Sequence, residues 1–199
     1  MANIIDYFFT PVSPWTYLGV PRLDAMVRKH GAELRYKPCD YGKVFPVSGG
    51  LPVGQRPKQR QAYRLVELER WRDLLGMKLN IHPKHFPVAS DFAARTVVAA
   101  KQSGGDPGKL AFALLRGVWA EERNVSDPAT VAAICSECGL DGKALVAAAD
   151  GTEARAEFEA NTAEAIERQV FGAPTYIYKD KPYWGQDRLD FLERALAAG

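Results

Sequence analysis

The sequence predicts an α/β fold in which a βαβ unit and a ββα unit share one sheet, with a large all-helical block inserted between them. Three observations carry this. Residues 3–9, NIIDYFF, are β-branched and aromatic; capped, alanine-rich segments fill Lys58 to Gln169; and strand-like sequence returns after Gly172. Neither end can make a full sheet alone. The simplest closure makes residues 1–57 and 170–199 one discontinuous domain and residues 58–169 an inserted helical domain.

In order along the chain, Thr10 to Pro14 break the first strand and a helix follows from Ser13. Ser13 suits the N-cap, Pro14 at N1 lacks an N–H that would be unpaired anyway, and Tyr17, Leu18, Leu23 and Met26 supply an apolar face. Pro21 is expected to bend or divide that helix, and Gly31 to stop it. Glu33–Pro38 reads as a second strand, and Pro46–Pro57 as a proline- and glycine-rich loop. Five helices are expected next, in QAYRLVELERWRDLL, PVASDFAARTVVAAKQ, PGKLAFALLRGVWAEE, DPATVAAICSECG and EARAEFEANTAEAIERQV. PTYIYK and PYW then form strands around an Asp180–Lys181 turn. The last helix, RLDFLERALAA, is expected to take Asp187 as N-cap, with Asp190 three residues on.

Composition narrows the function classes. At 199 residues, 47% hydrophobic and 25% charged, this is ordinary globular sequence. A formal charge of +2 suits anionic small ligands without calling for nucleic acid or a membrane, and neither a zinc-finger nor an RNP motif is present. The opening residues lack a positive n-region and a sustained apolar stretch, so no export signal is expected. No run approaches about 18 apolar residues, so no spanning helix is expected either. Cys39, Cys135 and Cys138 are an odd set, and free thiols in a reducing, cytoplasmic compartment are the simplest expectation.

Ser13 is the first candidate site residue, because amides at a helix N-terminus favour negative charge. For a thiolate held there, the helix end contributes about 0.3–1 kcal/mol and a hydroxyl hydrogen bond roughly 1.5–3 kcal/mol. Together these could lower a thiol pKa of about 8.5 by roughly one to three pH units. Ser13 can also be a helix cap and nothing more. A serine hydrolase is disfavoured, since GxSxG is absent and His30, His82 and His85 offer no evident triad. Pro174 is the second candidate: it opens a strand after Gly172–Ala173, leaving backbone that could receive a peptide-like ligand as an added strand. Its alternative is simple loop punctuation.

Three segments, DYFFTPVSPWTYLG, FGAPTYIY and YWGQDRLDFLERAL, span nearly the whole chain in order. On these the chain resembles the 2-hydroxychromene-2-carboxylate isomerases and kappa-class glutathione transferases, in the DsbA-like branch of the thioredoxin superfamily. The resemblance implies a thioredoxin-like fold with a helical insertion, glutathione as cofactor, and a homodimer. It implies that Ser13 replaces the first redox cysteine and faces the glutathione sulfur. Ala173, before the family's cis-proline at Pro174, would bind the cysteinyl backbone. Gln186 and Asp187 of the GxDR segment would meet the γ-glutamyl end, Asp187 opposing its ammonium. The chain departs from the family pattern at Thr10 and Pro11, where an acidic and an aromatic residue are usual, and at Gly50, where SGN becomes Ser48–Gly49–Gly50.

The implied activity is isomerisation of 2-hydroxychromene-2-carboxylate-like aromatic pyruvates by thiolate addition and bond rotation. A kappa-type transferase or peroxidase and a non-catalytic glutathione-binding module stand as alternatives. Trp15, on the first helical turn, suits a wall for an aromatic or electrophilic substrate. Its carboxylate would want a cation, for which Arg56, Lys58 or Arg60 could serve, from a basic cluster that also holds Arg64, Arg70 and Arg72. His85 is expected to line the pocket. His82 and His85 flank a proline and no metal site is expected. Cys135 and Cys138 form a CxxC near a helix end rather than at a helix start, so inert thiols are expected.

Overall fold

The computed structural model describes residues 3–199; Met1 and Ala2, at the head of the expected first domain, lie outside the described residues. Strand β1 (Ile4–Phe9) has a side-chain period of two. Ile5, Tyr7 and Phe9 enter the main core, while Phe8 enters a second cluster on the other face with Cys39, Tyr41, Val44 and Ile177. Both faces are covered, which is why the run is not cleanly polar on alternate residues. Tyr7 stacks on Phe9 at 4.7 Å and on Tyr176 at 5.2 Å between ring centroids.

β2 (Glu33–Pro38) runs parallel to β1. After the insertion, β3 (Thr175–Tyr178) pairs antiparallel to β1 and β4 (Lys181–Trp184) antiparallel to β3. The sheet order is β2-β1-β3-β4, so both halves of the chain meet at β1. The connection between β3 and β4 is Lys179–Asp180, both with positive φ, one residue earlier than the sequence suggested. Positive φ at both central positions matches the twist of a two-residue hairpin.

Helix α1 (Pro14–His30) carries Pro21 without being divided; the proline removes only the bond to the Tyr17 carbonyl, and Gly31 closes the helix in the left-handed conformation. Segment 41–48, partly read as loop, is helix α2 (Tyr41–Ser48): Asp40 Oδ1 accepts from Gly42 N at 2.7 Å, and Pro46 lies within it. Helix α3 (Lys58–Leu75) begins three residues before the expected segment. Helices α4 (Asp91–Gln102), α5 (Pro107–Ala120), α6 (Pro128–Glu137) and α8 (Thr152–Glu167) follow expectation, with α6 capped by Asp127 through Thr130 N at 2.9 Å. A further short helix, α7 (Gly142–Ala149), is capped by Asp141. The result is a thioredoxin-like βαβ core with helices α4–α8 inserted before its second half.

The final helix α9 (Leu189–Ala197) does not use Asp187 as its cap. A 3-10 turn over Gln186–Arg188 intervenes, and the Asp187 carboxylate instead accepts from Arg188 Nη1 at 2.8 Å. That turn packs directly on α1. A Cβ on Gly19 would stand 2.9 Å from the Gln186 Cβ and 3.1 Å from the Tyr176 hydroxyl, so only glycine allows this approach.

Candidate functional site

The candidate site is the seam where the start of α1 meets the start of β3. Ser13 is in extended conformation, 8% exposed, and its Oγ accepts from Thr16 N at 3.2 Å. It is therefore a helix cap. The same hydroxyl donates to the Ala173 carbonyl at 3.4 Å, across 160 positions of sequence. Capping uses an acceptor lone pair and this long bond uses the proton weakly, so the proton is available to a better acceptor. Pro14 has no N–H and the Thr16 amide is taken, which leaves the Trp15 amide as the first helical donor beyond the cap. Trp15 itself is half-buried against the main core.

On the facing side, the Ala173–Pro174 bond is cis. The segment before it is held from several directions. The Gly172 carbonyl accepts from Thr175 Oγ1 at 2.7 Å and from the Tyr41 hydroxyl at 3.1 Å. The Pro174 carbonyl is taken by Gly185 N at 2.8 Å, so it offers no edge to a ligand, and Gly185 reaches that bond with φ at 95°. Ala173, with its carbonyl engaged only by the long Ser13 contact, is the peptide unit left facing Ser13. Such a fixed arch keeps Ala173 in place before any ligand arrives.

Gln186 is 2% exposed and its side-chain carbonyl accepts from Arg22, whose guanidinium lies 5.1 Å from the Trp71 ring centroid. Asp187 is exposed and paired with Arg188. Gly185 brings this turn beside Pro174, so the GxDR segment and the cis-proline segment adjoin.

The expected carboxylate cations are placed unequally. Lys58 and Arg60 are exposed on the first turn of α3, and Arg56 Nε donates to the Leu51 carbonyl at 2.8 Å. His85 is half-buried in the loop before Phe86, whose bond to Pro87 is also cis. Arg64, which the sequence places in the same basic cluster, is 9% exposed. Its guanidinium carbon lies 5.3 Å from the Phe86 ring centroid and 5.7 Å from that of Trp119, and Nη2 has no hydrogen-bond partner. Burial, with Arg56 nearby, brings its pKa down to about 10, so it stays charged at neutral pH. The available signal was spacing: Arg64, Leu68, Trp71 and Leu75 form one stripe, i, i+4, i+7, i+11, on the inner face of α3.

The two cysteines of the CxxC lie at the other end of a helix, at the close of α6. Burial pushes the Cys135 thiol up to about 11, with the neighbouring Cys138 adding to it, and burial also raises Cys138. A cavity of about 470 Å³ beside β2, lined in part by Tyr36, Lys37, Lys101 and Asn161, includes none of the site residues. Its lysines are already paired, Lys37 with Glu164 and Lys101 with Glu157.

The model of the DSBA-like thioredoxin domain matches residues 4–197. A 2-hydroxychromene-2-carboxylate isomerase from Pseudomonas putida is 30% identical over 97% of this chain and 94% of its own length. Another from Sphingobium xenophagum is 27% identical over 98% of this chain and 99% of its own. A solved 2-hydroxychromene-2-carboxylate isomerase superposes with a TM-score of 0.77 at 27% identity, covering 98% of this chain and 95% of the other. With both ends of the sheet and the insertion matched together, the chain belongs to the DsbA-like thioredoxin family, in the branch that holds the 2-hydroxychromene-2-carboxylate isomerases.

Proposed function

We propose that the protein is a glutathione-dependent isomerase of 2-hydroxychromene-2-carboxylate-like aromatic pyruvates. The observation that carries this is Ser13: a hydroxyl at the N-terminus of α1, 3.4 Å from the carbonyl of Ala173, with its proton not needed for capping. Thr16 occupies the second position of what would be a redox pair, so this helix end has polar donors and no thiol of its own. Near-full-length similarity to proteins named for that isomerisation supports the same reading.

Glutathione would supply a thiolate that adds reversibly to the conjugated double bond of the opened substrate, letting it turn as a single bond before the thiol leaves. Ser13 donates its proton toward the sulfur and remains unmodified, while the α1 end adds its dipole. The Ala173 peptide unit, fixed by its neighbours, orients the cysteinyl backbone. Asp187 is exposed beside Gly185 and offers a carboxylate to the γ-glutamyl ammonium, and Gln186 stiffens that turn through Arg22. Trp15 forms an apolar wall. A cation must hold the substrate carboxylate, and the protein works on a soluble small molecule, as a homodimer in the cytoplasm.

Progress curves with 2-hydroxychromene-2-carboxylate, with and without catalytic glutathione, test this. Turnover that depends on glutathione without consuming it is expected. Turnover indifferent to glutathione would remove the thiol-addition mechanism. Stoichiometric consumption of glutathione would make the protein a kappa-type transferase, and binding without turnover a non-catalytic module.

A further inference from the structure

Among the described residues, one buried cation has no anion to match it. Arg64 sits on the inner stripe of α3, where Leu68 is fully buried four residues on, yet it is an arginine rather than an aliphatic residue. It makes no salt bridge among the described residues, its Nη2 has no hydrogen-bond partner, and the like charge of Arg56 lies near it. A buried guanidinium without a counter-ion is costly, and two aromatic faces offset only part of that. The arrangement becomes favourable when a carboxylate enters, because a planar fork meets it with paired, charge-assisted hydrogen bonds.

The location is specific. Trp119, whose ring Arg64 faces, donates its Nε1 proton to the Val12 carbonyl at 3.1 Å, and Val12 immediately precedes Ser13. Phe86 packs on the same indole at 4.8 Å. Arg64 thus stands in an aromatic box on the helical side of the Ser13 turn. The peptide-binding features, Ala173–Pro174 and Gly185–Asp187, adjoin one another through the Gly185–Pro174 bond. A guanidinium beside two aromatic rings matches the chemistry of an aromatic acid better than that of the aliphatic ends of a peptide.

We propose that Arg64, rather than Arg56, Lys58 or Arg60, receives the carboxylate of the electrophilic substrate and thereby selects aromatic 2-oxo acids. This rests on the isomerase reading above and names its specificity residue. With saturating glutathione, R64Q is expected to raise KM for 2-hydroxychromene-2-carboxylate by roughly 10–100-fold while kcat changes little. R64K should recover part of that loss, since it keeps the charge without the fork. The methyl ester should be handled alike by wild type and R64Q, and glutathione affinity, measured calorimetrically, should not change.

Wild-type KM in R64Q, or equal losses on acid and ester, would overturn the proposal. So would a fall in glutathione affinity, which would assign Arg64 to the glycyl carboxylate. If R64Q lacks a cooperative melt, the wild type decides: a KM no lower for the acid than for its ester sinks the idea. If the wild type shows no glutathione-dependent turnover, the isomerase reading fails separately. Arg64 is then read by phenylpyruvate quenching of tryptophan fluorescence, where saturable binding of the acid and not of its methyl ester supports it, and the absence of that preference overturns it.

Discussion

Two helix ends in this protein carry a pair of small polar or thiol side chains three residues apart, and they face opposite fields. Ser13 and Thr16 open α1, where amide protons point outward; Cys135 and Cys138 close α6, where carbonyls do. At the first, a hydroxyl at 8% exposure meets a fixed backbone arch. At the second, the Cys138 amide donates back to the carbonyls of Ile134 and Cys135, and burial raises both thiols. Spacing alone would favour the cysteines as the reactive pair. Position on the helix and what lies opposite are why the proposed function rests on the serine.

The largest effect should come from separating the two jobs of Ser13. S13A removes both the cap and the proton donor: turnover should fall by roughly 10²–10³-fold, as for loss of one preorganised donor, and stability by about 1 kcal/mol. For a chain of this size that stability loss is about 2–4 °C in Tm. S13D keeps a good cap but puts a negative charge beside the thiolate. Its Tm should recover part of that loss, held below wild type by a carboxylate facing the Ala173 carbonyl at a buried position, while turnover stays low and the pKa of bound glutathione rises. Recovery of turnover in S13D would mean that capping is all that Ser13 does, and the contrast between the two helix ends would lose its functional side.

A second test puts the same chemistry at both ends. In S13C the new thiol should have a pKa in the range of about 3.5–7.5 typical of helix N-termini, against about 11 for Cys135. Near pH 7 the thiolate fractions then differ by at least ~10³–10⁴. Intrinsic nucleophilicity falls with pKa and gives back roughly 10², leaving alkylation about 10–100-fold faster in S13C before burial of Cys135 widens it. Mass spectrometry after timed iodoacetamide treatment reads this residue by residue. Equal labelling at the two ends would show that the helix field does not govern thiol chemistry here.

The same contrast shows what a linear reading captures. The alanine-rich helices α4, α5, α6 and α8 are local matters, and Asp106–Pro107 and Asp127–Pro128 announce α5 and α6 wherever they sit. The strands were legible from their β-branched and aromatic content, although burial on both sheet faces blurred their alternation. Helices α2 and α7 were hidden because Gly42, Pro46 and Gly142 are ordinarily breakers and each helix has only eight residues. The cap assigned to Asp187 failed because the approach of Gln186 to Gly19 inserts a 3-10 turn, a tertiary effect. The bond between Ser13 and Ala173 spans 160 positions and no local pattern encodes it; only resemblance brought those residues together. Arg64 was misplaced for a simpler reason: charge in a basic run outweighed its position on the apolar stripe of α3.

The smallest expected effect concerns the buried thiol end alone and follows from proton linkage. The Cys135 pKa is raised by burial to about 11, against about 8.5 in an unfolded chain. Between those values the unfolded state has released its proton while the folded state holds it. The unfolded state therefore binds fewer protons, and stability falls as pH rises; below about 8.5 the thiol contributes no pH dependence. From pH 8.5 to 10 this removes on the order of 2 kcal/mol, about 4–8 °C in Tm. Cys39, raised by burial to about 12, adds a similar slope that is common to wild type and variant. C135A should therefore lose less Tm than wild type across pH 8.5–10, with the two profiles parallel below 8.5. Parallel profiles throughout would mean that the α6 thiol ionises as freely folded as unfolded. Burial would then not be what keeps it inert, leaving the direction of the helix end as the sole distinction from Ser13.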